Sequence, residues 1–246
     1  LIEMSAPTLA QAPTAHGRVY SGLKTALMKG EFLPGERLVV RVLAERFKTS
    51  PMPVREALHR LVSEEALVDH ANRGVIVPEV DGAVIADIVR IRSTIEGAAT
   101  EWAASTIGDT ELAHLEEINR KMQACAESGN SSDFLSLNRD FHFSIYRAAG
   151  SPLMLPIIER LWLRAGPWLN LIREGATIGL DLNHHAEMLD ALRRDDGSRA
   201  RRAVVADIGD AADVILRSIA VRGSASAPPR RRTADGTHAT RRLVPS

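Results

Sequence analysis

Two four-residue runs, LVDH at 67–70 and VIVP at 75–78, read as paired strands because they flank a turn of Ala71, Asn72, Arg73 and Gly74. A hairpin this small cannot stand alone in water. The apolar residues around it must supply the core, and they recur with the period of a helix. The chain is therefore expected to be mainly α, with one short β appendage.

Ahead of the hairpin, Val19, Leu23, Ala26 and Leu27 mark a helix over 18–29 that Gly30 stops, and Pro34-Gly35 reverses the chain. Val40, Leu43, Ala44 and Phe47 form one face of a short helix over 40–47. Residues 48–52 read as a connector. A third helix over 54–64 buries Val54, Ala57, Leu58 and Leu61, with Pro53 in its first turn, where a missing N–H breaks no intrahelical bond. Its opposite face carries Arg55, His59 and Arg60. Helix, helix, turn, helix and hairpin over 17–78 make a winged helix-turn-helix. A basic helix face fits a major groove about 12 Å wide, while the hairpin meets the backbone or minor groove beside it.

After Pro78 the period is helical throughout, over 81–105, 109–128, 132–149, 152–173, 178–194 and 198–221. The breaks fall at Gly108-Asp109, Ser128-Gly129-Asn130, Gly150-Ser151-Pro152, Gly175 and Asp196-Gly197. Short loops between six helices imply an antiparallel bundle over 79–222. Residues 1–16 read as a flexible arm and 223–246 as a disordered, Arg-containing tail.

The net charge is zero, but it divides into −1 over 1–16, +3 over 17–78, −6 over 79–222 and +4 over 223–246, as expected of domains with different partners. The single cysteine, Cys125, excludes an internal disulfide framework and a cysteine zinc cluster. No apolar run approaches the roughly 20 residues of a membrane span, so the expected location is the cytoplasm. At 4% aromatic residues the chain has too few to favour a base-stacking sheet for single-stranded nucleic acid.

The segments PGERL, LAERFKTSPMPVREALHRL and LVDHANRGVIV together resemble the DNA-binding domain of the GntR family of bacterial transcriptional regulators. LNRDFHFSIYRAAGSPLML and HHAEMLDALRRDDGSRARRAVVADI are similar to the helical effector domain of its FadR subfamily. Six bundle helices point to the shorter, VanR-like variant. The resemblance implies operator contacts from Arg41, from Ser50 and Arg55, and from Arg73 and Gly74. Where the family commonly has Arg-Thr before the recognition helix, this chain has Pro51-Met52, so one base-reading arginine is replaced.

The bundle sequence places polar residues on apolar stripes. Asn138 and His142 share a face with Phe134, Phe141 and Ile145; His185 leads Met188, Leu189 and Leu192; Asp207 interrupts Val204, Ile208, Ala211 and Ile215. Burying such groups unpaired costs several kcal/mol, roughly, so they call for a partner. One candidate is a divalent metal (Zn, Ni or Mn), held by an i, i+4 pair from one helix and single ligands from two others. The other is a hydrogen-bonded polar cluster or an enclosed water. The resemblance implies the metal, because many family members hold one with an Asp and three His. Those positions here are Asn138, His142, His185 and Asp207, two of them changed in type.

Arg92 lies in the stripe of Ile85, Ile88, Ile95, Ala99 and Trp102. It either pairs internally, with Glu96 or Asp207, or receives an anionic ligand bidentately. These features predict a homodimeric DNA-binding regulator controlled by a small organic acid effector, bound by Arg92, Asn138, His142 and His185. The rival is a metal-dependent enzyme in which His142, His185 and Asp207 activate water. Against it stand the DNA-binding block and the lack of an identifiable general base beside the cluster.

Overall fold

The Thr14 hydroxyl accepts a hydrogen bond from the Gly17 N–H at 3.1 Å and starts α1 (Ala15–Met28), three residues ahead of the expected boundary. The computed structural model describes residues 14–173 and 182–225. Most of the predicted arm, the Gly175 break, the predicted helical residues 178–181 and the tail beyond Ala225 lie outside the described residues.

The winged helix continues through α2 (Val40–Arg46) and α3 (Pro51–Ser63). Helix α3 begins three residues before Val54. Because none of the first N–H groups of a helix has an intrahelical partner, both Pro51 and Pro53 fit inside its first turn. Ser50 becomes the N-cap, and the connector shrinks to a turn in which Lys48 takes φ 50°. The hairpin of β1 (Val68–His70) and β2 (Gly74–Ile76) is antiparallel, with Val68 opposite Ile76 and His70 opposite Gly74.

The PGERL segment is more than a reversal. Gly35 N–H donates to Val77 O at 3.0 Å, Val77 N–H to Glu36 O at 2.9 Å and Leu38 N–H to Val75 O at 2.9 Å, laying the segment along the free edge of β2. Leu23, Leu27, Val54, Leu58, Leu61 and Leu67 close the core beneath.

The bundle consists of α4 (Gly82–Ala103), α5 (Asp109–Ser128), α6 (Ser131–Ala148), α7 (Met154–Arg173), α8 (Leu182–Arg193) and α9 (Gly197–Ala225). Asp81 caps α4 by accepting from Ala83 N–H, and Asn130 caps α6 by accepting from Asp133 N–H. The longest shared face is that of α4 with α9; α5 packs on α6, and α8 on α9. Helix α9 runs past Gly223, the point at which the tail was expected to begin. Among the described residues no helix is long and apolar enough to cross a membrane.

The two domains meet directly, through α1 and α7. A Cβ on Gly166 would stand 2.2 Å from Leu27 O and 2.7 Å from Met28 Cα, so only glycine lets the helices approach this closely. Asn170 Nδ2 donates to Gly30 O at 2.7 Å in a buried hydrogen bond. Lys24 pairs with Glu159 at 2.5 Å. Nothing in the apolar periodicity marks this contact, because a glycine in a helical stripe looks like a gap.

Candidate functional site

Helix α3 turns its buried stripe toward α1 and leaves Arg55 and His59 exposed. Arg41, on α2, is 88% exposed, with Glu45 at 4.0 Å as its carboxylate neighbour. Ser50 and Gly74 are exposed as well. At the hairpin tip Arg73 Nη2 donates to Gly35 O at 3.0 Å, and Nη1 lies 3.5 Å from Glu79 Oε1, so this guanidinium is steadied from below.

Arg60 is committed elsewhere. Its guanidinium sits 3.7 Å over the Tyr20 ring and pairs with Glu64 at 3.0 Å. The Tyr20 hydroxyl also donates to Glu64. Partial burial and then the Glu64 carboxylate push the Tyr20 pKa up to about 12. Met52, expected in the connector as part of the Pro51-Met52 replacement, stands instead on the first turn of α3 and is among the exposed large apolar side chains.

The second constellation is assembled in the bundle from α6, α8 and α9. His142 Nε2 lies 3.3 Å from Asp207 Oδ2, His185 Nε2 lies 3.5 Å from Asp207 Oδ1, and the two Nε2 atoms are 3.3 Å apart. All three residues are buried, and each offers one ligand atom within 4.8 Å of the others. Asn138, one turn before His142, is buried too, and its Oδ1 has no hydrogen-bond partner among the described residues. Burial raises the pKa of Asp207, but the charge of His185 and the hydrogen bond and charge of His142 outweigh it and hold the carboxyl at about 2.

Asn138, His142 and Asp207 line a cavity of about 20 Å³ together with Arg92, Trp162 and Gly166. A space of that size holds one water molecule or one ion. The orphaned amide oxygen of Asn138, the His142 imidazole and the Asp207 carboxylate line this space, with His185 Nε2 behind them 3.5 Å from the same carboxylate, and this donor set fits a divalent cation of borderline softness. An organic acid requires the cavity to widen.

Of the two alternatives open to Arg92, the internal pair is formed. Its Nε donates to Glu96 Oε1 at 2.6 Å and its Nη2 to Glu96 Oε2 at 3.2 Å, with the guanidinium 4.8 Å over the Trp162 ring. Burial opposes the charge on Arg92, and Glu96 more than compensates, raising its pKa above the usual value. Fully buried Glu96 also accepts from the Tyr146 hydroxyl at 2.6 Å and from Trp162 Nε1 at 3.1 Å. The Tyr146 oxygen is in turn 3.3 Å from His142 Nδ1. Arg92 thus stands at the cavity wall at the end of a buried polar chain that reaches the His142 ring. Tyr146 and Trp162 could not be assigned to this chain from spacing, since both also fit an apolar stripe.

Comparison with known proteins agrees with this architecture. Residues 15–77 match the family model described as bacterial regulatory proteins, gntR family, and residues 87–210 match the FCD domain. The HTH-type transcriptional regulator McbR of Escherichia coli K12 is 34% identical over 208 residues, covering 83% of this chain and 90% of that protein. The Nta operon transcriptional regulator of Aminobacter aminovorans is 27% identical over 190 residues, covering 76% and 88%. Among solved structures, E. coli McbR/YncC superposes with a TM-score of 0.74 at 31% identity, covering 87% of this chain and 99% of that one. A GntR-type regulator from Rhodococcus sp. RHA1, at 22% identity and a TM-score of 0.68, shares the fold.

Proposed function

Since the chain belongs to the GntR family of bacterial transcriptional regulators, with an FCD domain behind its winged helix, we propose that it is a cytoplasmic homodimer whose operator affinity answers to a small carboxylate-bearing metabolite. Its relatives are transcriptional regulators, not enzymes. Operator DNA is held by Arg41, Ser50, Arg55, Arg73 and Gly74, with α3 in the major groove. A divalent cation is held by Asn138, His142, His185 and Asp207. When bound, it supplies a Lewis-acid anchor for an effector oxygen. Arg92 at the cavity wall provides the complementary positive charge, and the incoming carboxylate shares it with Glu96.

One observation carries the ligand-responsive part of this reading. Gly166 lines the cavity and, through its missing Cβ, lies against the backbone of α1 in the winged helix. Widening the cavity to admit an acid therefore displaces the surface on which the DNA-binding domain is seated. A ligand changes operator affinity only as far as it binds the two arrangements differently.

The test combines elemental analysis with gel shifts. Protein purified without chelator is expected to carry near-stoichiometric Zn, Ni or Mn, and His142→Ala and His185→Ala to lose it and melt lower, because a ligand of the native state stabilises that state. A panel of small organic acids is then expected to contain members that shift operator binding in the metal-loaded protein. Full metal occupancy in both variants relocates the ion. Absence of metal under every loading condition leaves the cluster a polar network.

A further inference from the structure

The recognition helix has an apolar tip. Pro51, Met52 and Pro53 make up its first turn, and Met52, at 62% exposed, is the most exposed large apolar side chain of the winged helix among the described residues. At about 100° per residue, Met52 stands almost opposite the buried stripe of Val54, Ala57, Leu58 and Leu61, nearly in line with His59 and one turn ahead of Arg55. The flanking prolines have no N–H, so among the first three residues of the helix only Met52 keeps a backbone donor. Past the N-cap Ser50, this first turn is poor in groups that hold phosphate. What it presents is a thioether chain.

We propose that Met52 is a specificity-determining residue that reads the C5-methyl group of a thymine in the operator. The proposal rests on the assignment of α3 to the major groove. There the N-terminal residues of a recognition helix meet base edges. Thymine presents a methyl group at that edge, whereas cytosine presents an amino donor. Methionine has no donor, and its sulfur is a weak acceptor. Set against cytosine, it displaces water from the amino group without replacing the hydrogen bond; set against thymine, it covers an apolar group with another. Its unbranched, adaptable chain suits contact with a single methyl.

Sites are selected from a random duplex library with the full chain, and the selected duplex is remade with deoxyuridine for thymidine, one position at a time. This deletes a methyl group and nothing else. At fixed salt, one thymine in each half-site is expected to carry a penalty of about fourfold in Kd, the worth of one buried methyl group. In Met52→Ala that penalty disappears, and in Met52→Gln the preference moves toward adenine. Equal penalties in wild type and Met52→Ala overturn the assignment, as does a selected half-site without an invariant thymine. Arg55→Ala separates the two levels of the argument. If it changes the selected sequence while Met52→Ala does not, α3 reads DNA and only the role of Met52 fails; if neither changes it, the assignment of α3 fails too.

Discussion

Arg92 is held by Glu96 on its own helix, in a pair whose acid is fully buried and whose base is 14% exposed. Removing one member of such a pair leaves the other charge without compensation in a site that water reaches poorly. Arg92→Ala is therefore expected to lower stability by about 3 kcal/mol, visible as a reduced midpoint in denaturant unfolding. A midpoint within experimental error of wild type would show that Glu96 is satisfied by Tyr146 and Trp162 alone. From spacing, the i+4 acid was one of two equally good partners for Arg92. The choice between internal pair and ligand depends on how closely α7 brings Trp162, and hence how little water remains. Asn138, His142, His185 and Asp207 were legible because each breaks an apolar stripe; their mutual distances were not.

At the level of elements, two contacts settle what the helices do. Tyr20 joins α1 to the end of α3 through Glu64, and its phenol stays protonated up to about pH 12 in the folded protein. The unfolded chain loses that proton near pH 10. Stability from this contact is thus fully present below pH 10 and is lost as the pH rises toward 12. The chain has two tyrosines, and burial together with Glu96 raises Tyr146 well above its ordinary value. Spectrophotometric titration of the native protein is expected to show no phenolate at pH 10, and Tyr20→Phe to flatten the fall in stability between pH 10 and 12. Ionisation of half of one of the two phenols at pH 10 would mean that Tyr20 is solvated.

The second contact is α7 on α1. In Gly166→Ala the added carbon meets Leu27 O and Met28 Cα, which are backbone atoms that cannot swing aside. The domains are expected to separate there, giving two calorimetric transitions in place of one and a weaker response of operator binding to the organic acids that shift it in the wild type. One transition, with the response intact, would place the coupling elsewhere, for instance along α4, which follows the wing directly in sequence. Periodicity found both helices, but it is blind to a contact made by the absence of a side chain. The same blindness hid the pairing of the PGERL segment with β2, where backbone groups make the bonds and the side chains keep no alternation.

For the whole molecule, the sequence by itself determined the division into a basic winged helix and an acidic helical bundle, and the order of helices and hairpin. These follow from apolar spacing, from glycine and proline punctuation and from the segregation of charge, all of which are local properties of the chain. It also marked the buried polar residues as a set, since each is costly in its own stripe. Only the tertiary structure decided that His142, His185 and Asp207 converge from α6, α8 and α9, that Arg92 is paired with Glu96, and that the cavity has room for one water molecule or one ion and must open for an acid. It alone seated the winged helix on α7, through Gly166 and the Asn170–Gly30 hydrogen bond. Each of these depends on the distance and rotation between elements far apart in the chain. Those are set by how side chains interlock across a packed core, and periodicity within one element carries no record of them.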